Sequence, residues 1–123
     1  MTSDRSLADF RRWTLAVLGL LGAEPGRQVE YLQASEVEAD EILLQFDDLL
    51  HVARARVADG SLKNEDYLLI KSTNERADAL NARPDSIWAA AALNEAAEWR
   101  DLRVAARIAK LSLEQSWSQD FDD

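Results

Sequence analysis

From Ser6 to Glu114 the apolar residues return at intervals of three and four. The breakers that divide them stand at three places: Gly22 with Pro25-Gly26, Gly60, and Pro84. That period is the helical one, and no alternating run flanked by turn residues competes with it. The pattern predicts an all-α fold, a compact single-domain bundle of five to six helices spanning 1–114. An acidic C-terminal tail, partly disordered, is expected over 115–123.

Each segment reads in the same terms. Leu7, Phe10, Thr14, Val17 and Leu21 form a stripe on a first helix that Ser3 or Ser6 can cap. Pro25 suits the first turn of a short second helix carrying Val29, Tyr31 and Leu32. Ser35 stands three residues before Glu38, the spacing of a capping box, which would open a third helix closed by Gly60. Asn64 or Ser61 can start a fourth, with Leu69, Ile70, Thr73, Ala77 and Leu80 on one side. Asp85 or Ser86 would cap a short fifth helix bearing Trp88, and Asn94 a sixth from about Ala96 to Glu114.

The third and sixth segments differ in kind. At about 100° per residue, Ala39, Ile42, Leu43, Phe46, Leu49, Leu50, Ala53 and Val57 fall within roughly 120° of arc. The sixth is apolar around most of its circumference, leaving Arg100, Arg103, Arg107 and Lys110 as its polar strip. A helix apolar nearly all round is one that others pack against. The C-terminal helix is therefore expected at the centre of the bundle and the third on its outside.

Charge is distributed unevenly. Gln28 to Ala53 holds seven acids and no Lys or Arg, and the end of the chain adds Glu114, Asp120, Asp122 and Asp123. These two places carry more negative charge than the formal net of −9, and the rest of the chain is slightly basic. Such a surface repels nucleic acid and anionic membrane and attracts basic partners. On the third helix Asp40, Glu41, Leu44, Asp47, Asp48 and His51 project together, opposite the core stripe. Carboxylates around an exposed leucine suit docking of a basic protein: the charges steer, the leucine supplies apolar area. A solvated helix face with one stray leucine accounts for the same residues, although such faces ordinarily mix in Lys and Arg.

Other chemistry has less to stand on. Glu38-x-x-Glu41 with Glu75-x-x-Asp78 superficially matches the metal signature of all-α nucleotide pyrophosphatases, yet Glu41 and Glu75 point away from their helices' core stripes. His51 reads as a surface histidine paired with Asp47, four residues before it. With no cysteine and one histidine, disulfides, thiolate metal sites and cysteine nucleophiles are excluded. No glycine-rich phosphate loop is present, and no cofactor or metal is expected. Trp13, Trp88 and Trp99 fit core or core-edge positions, while Trp117 and Phe121 lie in the acidic tail. The apolar run Leu15 to Leu21 is too short to span a bilayer, and Gly22-Ala23-Glu24-Pro25 is a poor cleavage site, so a cytoplasmic location is expected.

Several short segments carry a resemblance: Gln28-Val29-Glu30-Tyr31-Leu32, Ala39-Asp40-Glu41, Gln45-Phe46-Asp47-Asp48, Ile87-Trp88, and Glu98-Trp99 followed by Arg103. With them the chain resembles small, acidic, all-helical bacterial proteins akin to immunity-type partners in toxin systems. The resemblance implies a non-enzymatic inhibitor that binds a cognate toxin, and it implies no catalytic residue. Two further readings stay open, a metal-dependent nucleotide hydrolase and a homodimeric structural or regulatory module.

Overall fold

A computed structural model describes residues 2–119, with side chains from 6 to 118. Six α-helices and one 3-10 turn follow in order: α1 Thr2–Leu21, α2 Pro25–Ser35, α3 Asp40–Ala58, α4 Asn64–Asn81, the turn Asp85–Trp88, α5 Ala90–Glu95 and α6 Ala97–Gln119. No strand occurs among the described residues. α1 packs on α3 and α6, and α4 packs on the same two, so four long helices close a ring with α3 and α6 at opposite corners. α2, the 3-10 turn and α5 form a smaller group joined to α6 through α5.

The ring's interior takes the stripes expected from the spacing. Ile42, Phe46 and Leu49 of α3, Leu18 and Leu21 of α1, Ile70 and Leu80 of α4, and Trp99, Leu102 and Leu113 of α6 are fully buried. Removing one large core side chain costs about 3–5 kcal/mol. That is a large part of the roughly 5–15 kcal/mol by which a domain is stable. Packing therefore dictates the inner faces and leaves the outer ones free for other work.

α6 is the most heavily packed helix, lying against α1, α4 and α5, but it is not enclosed. Val104, Ile108 and Leu111 on its outer side are 49%, 58% and 62% exposed. Its polar strip is not a solvated face either, because Arg103 is buried. α6 also runs past Glu114 to Gln119, into the span expected as a partly disordered tail, and Trp117 lies within the helix. Trp117 is buried, and its Nε1 donates to Asp66 Oδ2 at 3.0 Å while Ser116 Oγ donates to Asp66 Oδ1 at 3.0 Å. Asp66, buried in the first turn of α4, thereby ties down the last turns of α6. The expectation for Phe121 lies outside the described residues.

The helix ends also depart from the caps read in sequence. α1 already runs from Thr2, so Ser3 and Ser6 stand inside it, and Ser6 accepts hydrogen bonds from Arg56. Ser35 is the last residue of α2 and does not cap α3, which starts at Asp40 without a side-chain cap. The Ser35–Glu38 spacing closes one helix where it was expected to open another. Glu36 takes the left-handed conformation (φ 55°), its N–H bonds Gln33 O, and Val37 N–H bonds Leu32 O at 3.1 Å. This is a Schellman motif, which brings the residue after the left-handed one, Val37, against Leu32 in the last turn of α2. α3 ends the same way on Gly60 (φ 82°), with Ser61 N–H bonding Arg56 O at 2.9 Å. Glycine suits that conformation, whereas a residue with a side chain there costs about 1–2 kcal/mol. Trp88 ends the 3-10 turn, and Asn94 lies inside α5 and does not cap α6.

α1 ends on side chains from elsewhere in the chain. Gln28 Nε2 donates to Leu20 O and Leu21 O at 3.0 Å each, and Arg107 Nε donates to Gly22 O at 2.6 Å. Arg103 donates to Leu93 O at 2.7 Å and Gln28 Oε1 at 3.3 Å. Burial, then the charge of nearby Arg107, pulls the Arg103 guanidinium below its ordinary value, although an arginine remains cationic. Gly22 permits this close approach: a Cβ there would stand 2.9 Å from Arg107 Cγ and 3.2 Å from Leu18 O.

Candidate functional site

α3 begins at Asp40 with its buried stripe turned into the ring, so its outer face is fixed by the same rotation. Asp40, Leu44, Asp47, Asp48 and His51 are exposed there, with Leu44 at 52%, and Glu41 is half-buried. Asp40, Leu44 and Asp47 line a groove of about 180 Å³ with Leu43, and its other walls are Asn74, Ala77 and Asn81 of α4 and Trp88 of the 3-10 turn. Glu41, Asp48 and His51 do not line it. Helical rotation puts Glu41 and Asp48 on the opposite flank of Leu44. That is the side of Gln45, whose side chain donates to the Tyr31 hydroxyl of α2. The six residues thus form a ridge, one flank of which borders a groove.

Among the described residues no cation pairs with Asp40, Glu41, Asp47 or Asp48. Ion pairs form elsewhere, at Arg12–Asp9, Arg83–Glu98, Arg107–Glu24 and Lys110–Glu114. The pairing expected between His51 and Asp47 does not form, and His51 has no hydrogen bond or ion pair among these residues. Asp40 and Glu41 occupy the first turn of α3, where the helix dipole favours negative charge. Asp47 and Asp48, in mid-helix, have no such compensation.

The sequence reading missed Trp88 as part of this surface. It is half-buried, stacked edge-on to Trp99 with ring centroids 6.1 Å apart, and its indole N–H has no partner among the described residues. Trp99 Nε1 donates to Ile87 O at 2.8 Å, so α6 fixes both the backbone and the ring of the turn. The available signal was Pro84-Asp85 before Ile87-Trp88, a turn sequence that places an aromatic next to solvent.

The alternative constellations do not assemble. Glu38, Glu75 and Asp78 are exposed and Glu41 half-buried. Among the described residues no group of three or more His, Asp or Glu side chains stands in a position to hold a metal ion. Most of the basic strip of α6 is engaged within the fold: Arg103 bonds Leu93 O and Gln28, Arg107 bonds Gly22 O at the end of α1, and Lys110 lies 3.8 Å from Glu114, while Arg100 is exposed. No helix among the described residues is long and apolar enough to cross a membrane. Compared with known protein families, curated proteins and solved structures, the chain finds no match.

Proposed function

We propose that the chain is a non-enzymatic binding module that docks a basic protein through the outer face of α3. The observation that carries this reading is a set of carboxylates without cationic partners beside an exposed leucine and a groove, in a chain whose other acids are partly paired. Unpaired carboxylates raise the local concentration of a cationic partner and accelerate its encounter. Leu44 and the groove then supply area from which water is excluded. An immunity-type role fits this chemistry. Carboxylates presented on a helix can occupy positions that phosphates would take in a nucleic-acid-cleaving toxin, so the partner would be such a toxin, held inactive.

The test uses Asp47→Lys with Asp48→Lys, because these two acids do not serve the helix dipole. Against a basic partner captured from the host with the wild-type chain, the pair of reversals lowers the association rate several-fold and flattens its dependence on salt. Unchanged kinetics would remove α3 from the interface. Growth rescue on co-expression with that partner separates an immunity role from docking in general.

A second reading draws on another surface. Val104, Ile108 and Leu111 lie at i, i+4 and i+7 on the outer side of α6, the spacing of a helix-pairing seam. A homodimer through that seam would show as concentration-dependent sedimentation, and a monomer at tens of micromolar would dispose of it.

A further inference from the structure

We propose that a second cavity, on the far side of Trp88 from the α3 groove, is the anchor pocket of the docking surface, and that it receives an aromatic or branched apolar side chain from a basic amphipathic helix of the partner. The proposal rests on the docking reading of α3 and specifies what part of the partner is recognised.

The cavity has a volume of about 470 Å³ and is walled by Val29 and Leu32 of α2, Val37 and Ala39 of the α2–α3 turn, and Trp88 and Ala89. This lies within the ~300–1,000 Å³ of pockets that enclose a ligand. Its walls are held in place by the fold. The Schellman motif at Glu36 sets Val37 against Leu32, and Trp99 holds the turn that carries Trp88. Trp88 lines both cavities, and Ala39 and Asp40, consecutive residues, line one each. The two therefore form one surface running from α2, over Trp88, to the outer flank of α3.

Charge selects the occupant. No Lys, Arg or His lines either cavity, while Glu38 and Asp85 border the first and Asp40 and Asp47 the second. An anionic ligand or lipid surface would be repelled, and a neutral apolar one would leave four carboxylates unused. A helix with apolar residues at i and i+4 flanked by Lys or Arg satisfies both. Asp40 and Asp47 are two turns apart, about 10.5 Å along the axis, which matches cations seven residues apart on a helix lying along α3. The free Trp88 N–H adds a donor for a partner carbonyl.

The probe is a synthetic lysine-rich amphipathic peptide of about 18 residues, long enough to become helical on binding, with Leu and Trp on one face. Its controls are a scrambled peptide of the same composition and one with Glu in place of Lys. Ala90 lines the cavity and is itself exposed, so Ala90→Phe adds a ring there while replacing no buried side chain. Fluorescence anisotropy should show the amphipathic peptide binding the wild type, and Ala90→Phe weakening it about tenfold or more, chiefly through faster dissociation. Asp47→Lys should instead slow association.

Should Ala90→Phe leave affinity within about twofold while Asp47→Lys slows association, the acidic face docks but the cavity is not its anchor, and this proposal alone fails. If neither substitution matters, the docking reading fails with it. Equal binding of the scrambled peptide, or no binding of any peptide, also overturns the proposal. Circular dichroism establishes that Ala90→Phe folds. If it does not, the Trp88 indole N–H resonance of the wild type decides: a shift on adding peptide supports the pocket, and an unmoved resonance overturns it.

Discussion

At the end of α1 and on the outer face of α3 the chain places polar side chains in opposite circumstances. Gln28, Arg103 and Arg107 enter or border the interior, where their donors meet the carbonyls of Leu20, Leu21, Gly22 and Leu93. Asp40, Glu41, Asp47 and Asp48 meet no cation among the described residues. Buried polar groups must be matched or they destabilise the fold, so the first region is explained by stability alone. The second is not, because an exposed carboxylate in water needs no partner and gives the fold little. The difference separates polar residues that build the molecule from those whose presence the fold does not explain.

The largest effect that tests this contrast is at Gln28. Gln28→Leu leaves Leu21 O and one contact of Arg103 without their partner and Leu20 O with only the Ala23 N–H at 3.3 Å, and each buried group so orphaned costs about 1–3 kcal/mol. Urea denaturation should show a loss of about 3 kcal/mol or more, among the largest for any substitution outside the apolar core. A loss below about 1 kcal/mol would mean that water replaces the amide and that the end of α1 is less closed than its distances imply.

Asp66 comes next. Asp66→Ala leaves the buried Trp117 N–H unmatched and releases Ser116, at about 1–3 kcal/mol. The loss should be local as well as global, with the amides of the last turns of α6 exchanging faster than those of α3. Uniform exchange across both helices would show that α6 closes by packing and not by this carboxylate.

The same contrast explains what could be read from the chain. The core stripe of α3 and the helix ends at Pro25 and Gly60 were legible because periodicity and φ preference act locally. Arg103 was not, since four bases spaced along α6 look like a solvated strip, and only the approach of α2 and α5 shows that one of them is buried. Trp117 was assigned to a tail because its partner Asp66 lies 51 residues away. Ser35 and Glu38 carry a real capping signal, overridden by a Schellman closure that uses a non-glycine residue. The outer face of α3 follows from helical rotation, although Glu41 is half-buried on it, but the groove does not, because two of its walls belong to α4 and the 3-10 turn. Residues Gln28, Tyr31, Gln45, Ile87, Trp99 and Arg103, which carry the resemblance, largely bond one another. They support a framework and leave the docking role to its own tests.

Asp47→Lys with Asp48→Lys should change stability by no more than about 0.5 kcal/mol, as surface substitutions away from special features do. A loss of 2 kcal/mol would collapse the comparison, because those carboxylates would then be structural after all.

The smallest effect belongs to an acid that is exposed yet has a partner. Ser61, through its hydroxyl and then its backbone N–H (2.8 Å from Asp59 Oδ1), holds the Asp59 carboxyl below the usual carboxylate range at the end of α3. A carboxylate whose folded pKa is lowered contributes stability that is fully present above its unfolded pKa, and that contribution is lost as pH falls through the folded value. Asp59→Asn removes the titration while keeping an acceptor for the Ser61 N–H. The variant's stability should therefore decline slightly less than the wild type's below the ordinary carboxylate range, with the two curves differing by a constant offset near neutrality. An acid limb that Asp59→Asn leaves unchanged would mean that the Ser61 contacts give this carboxylate no preference for the folded state, and that α3 closes on Gly60 without help from its last acid.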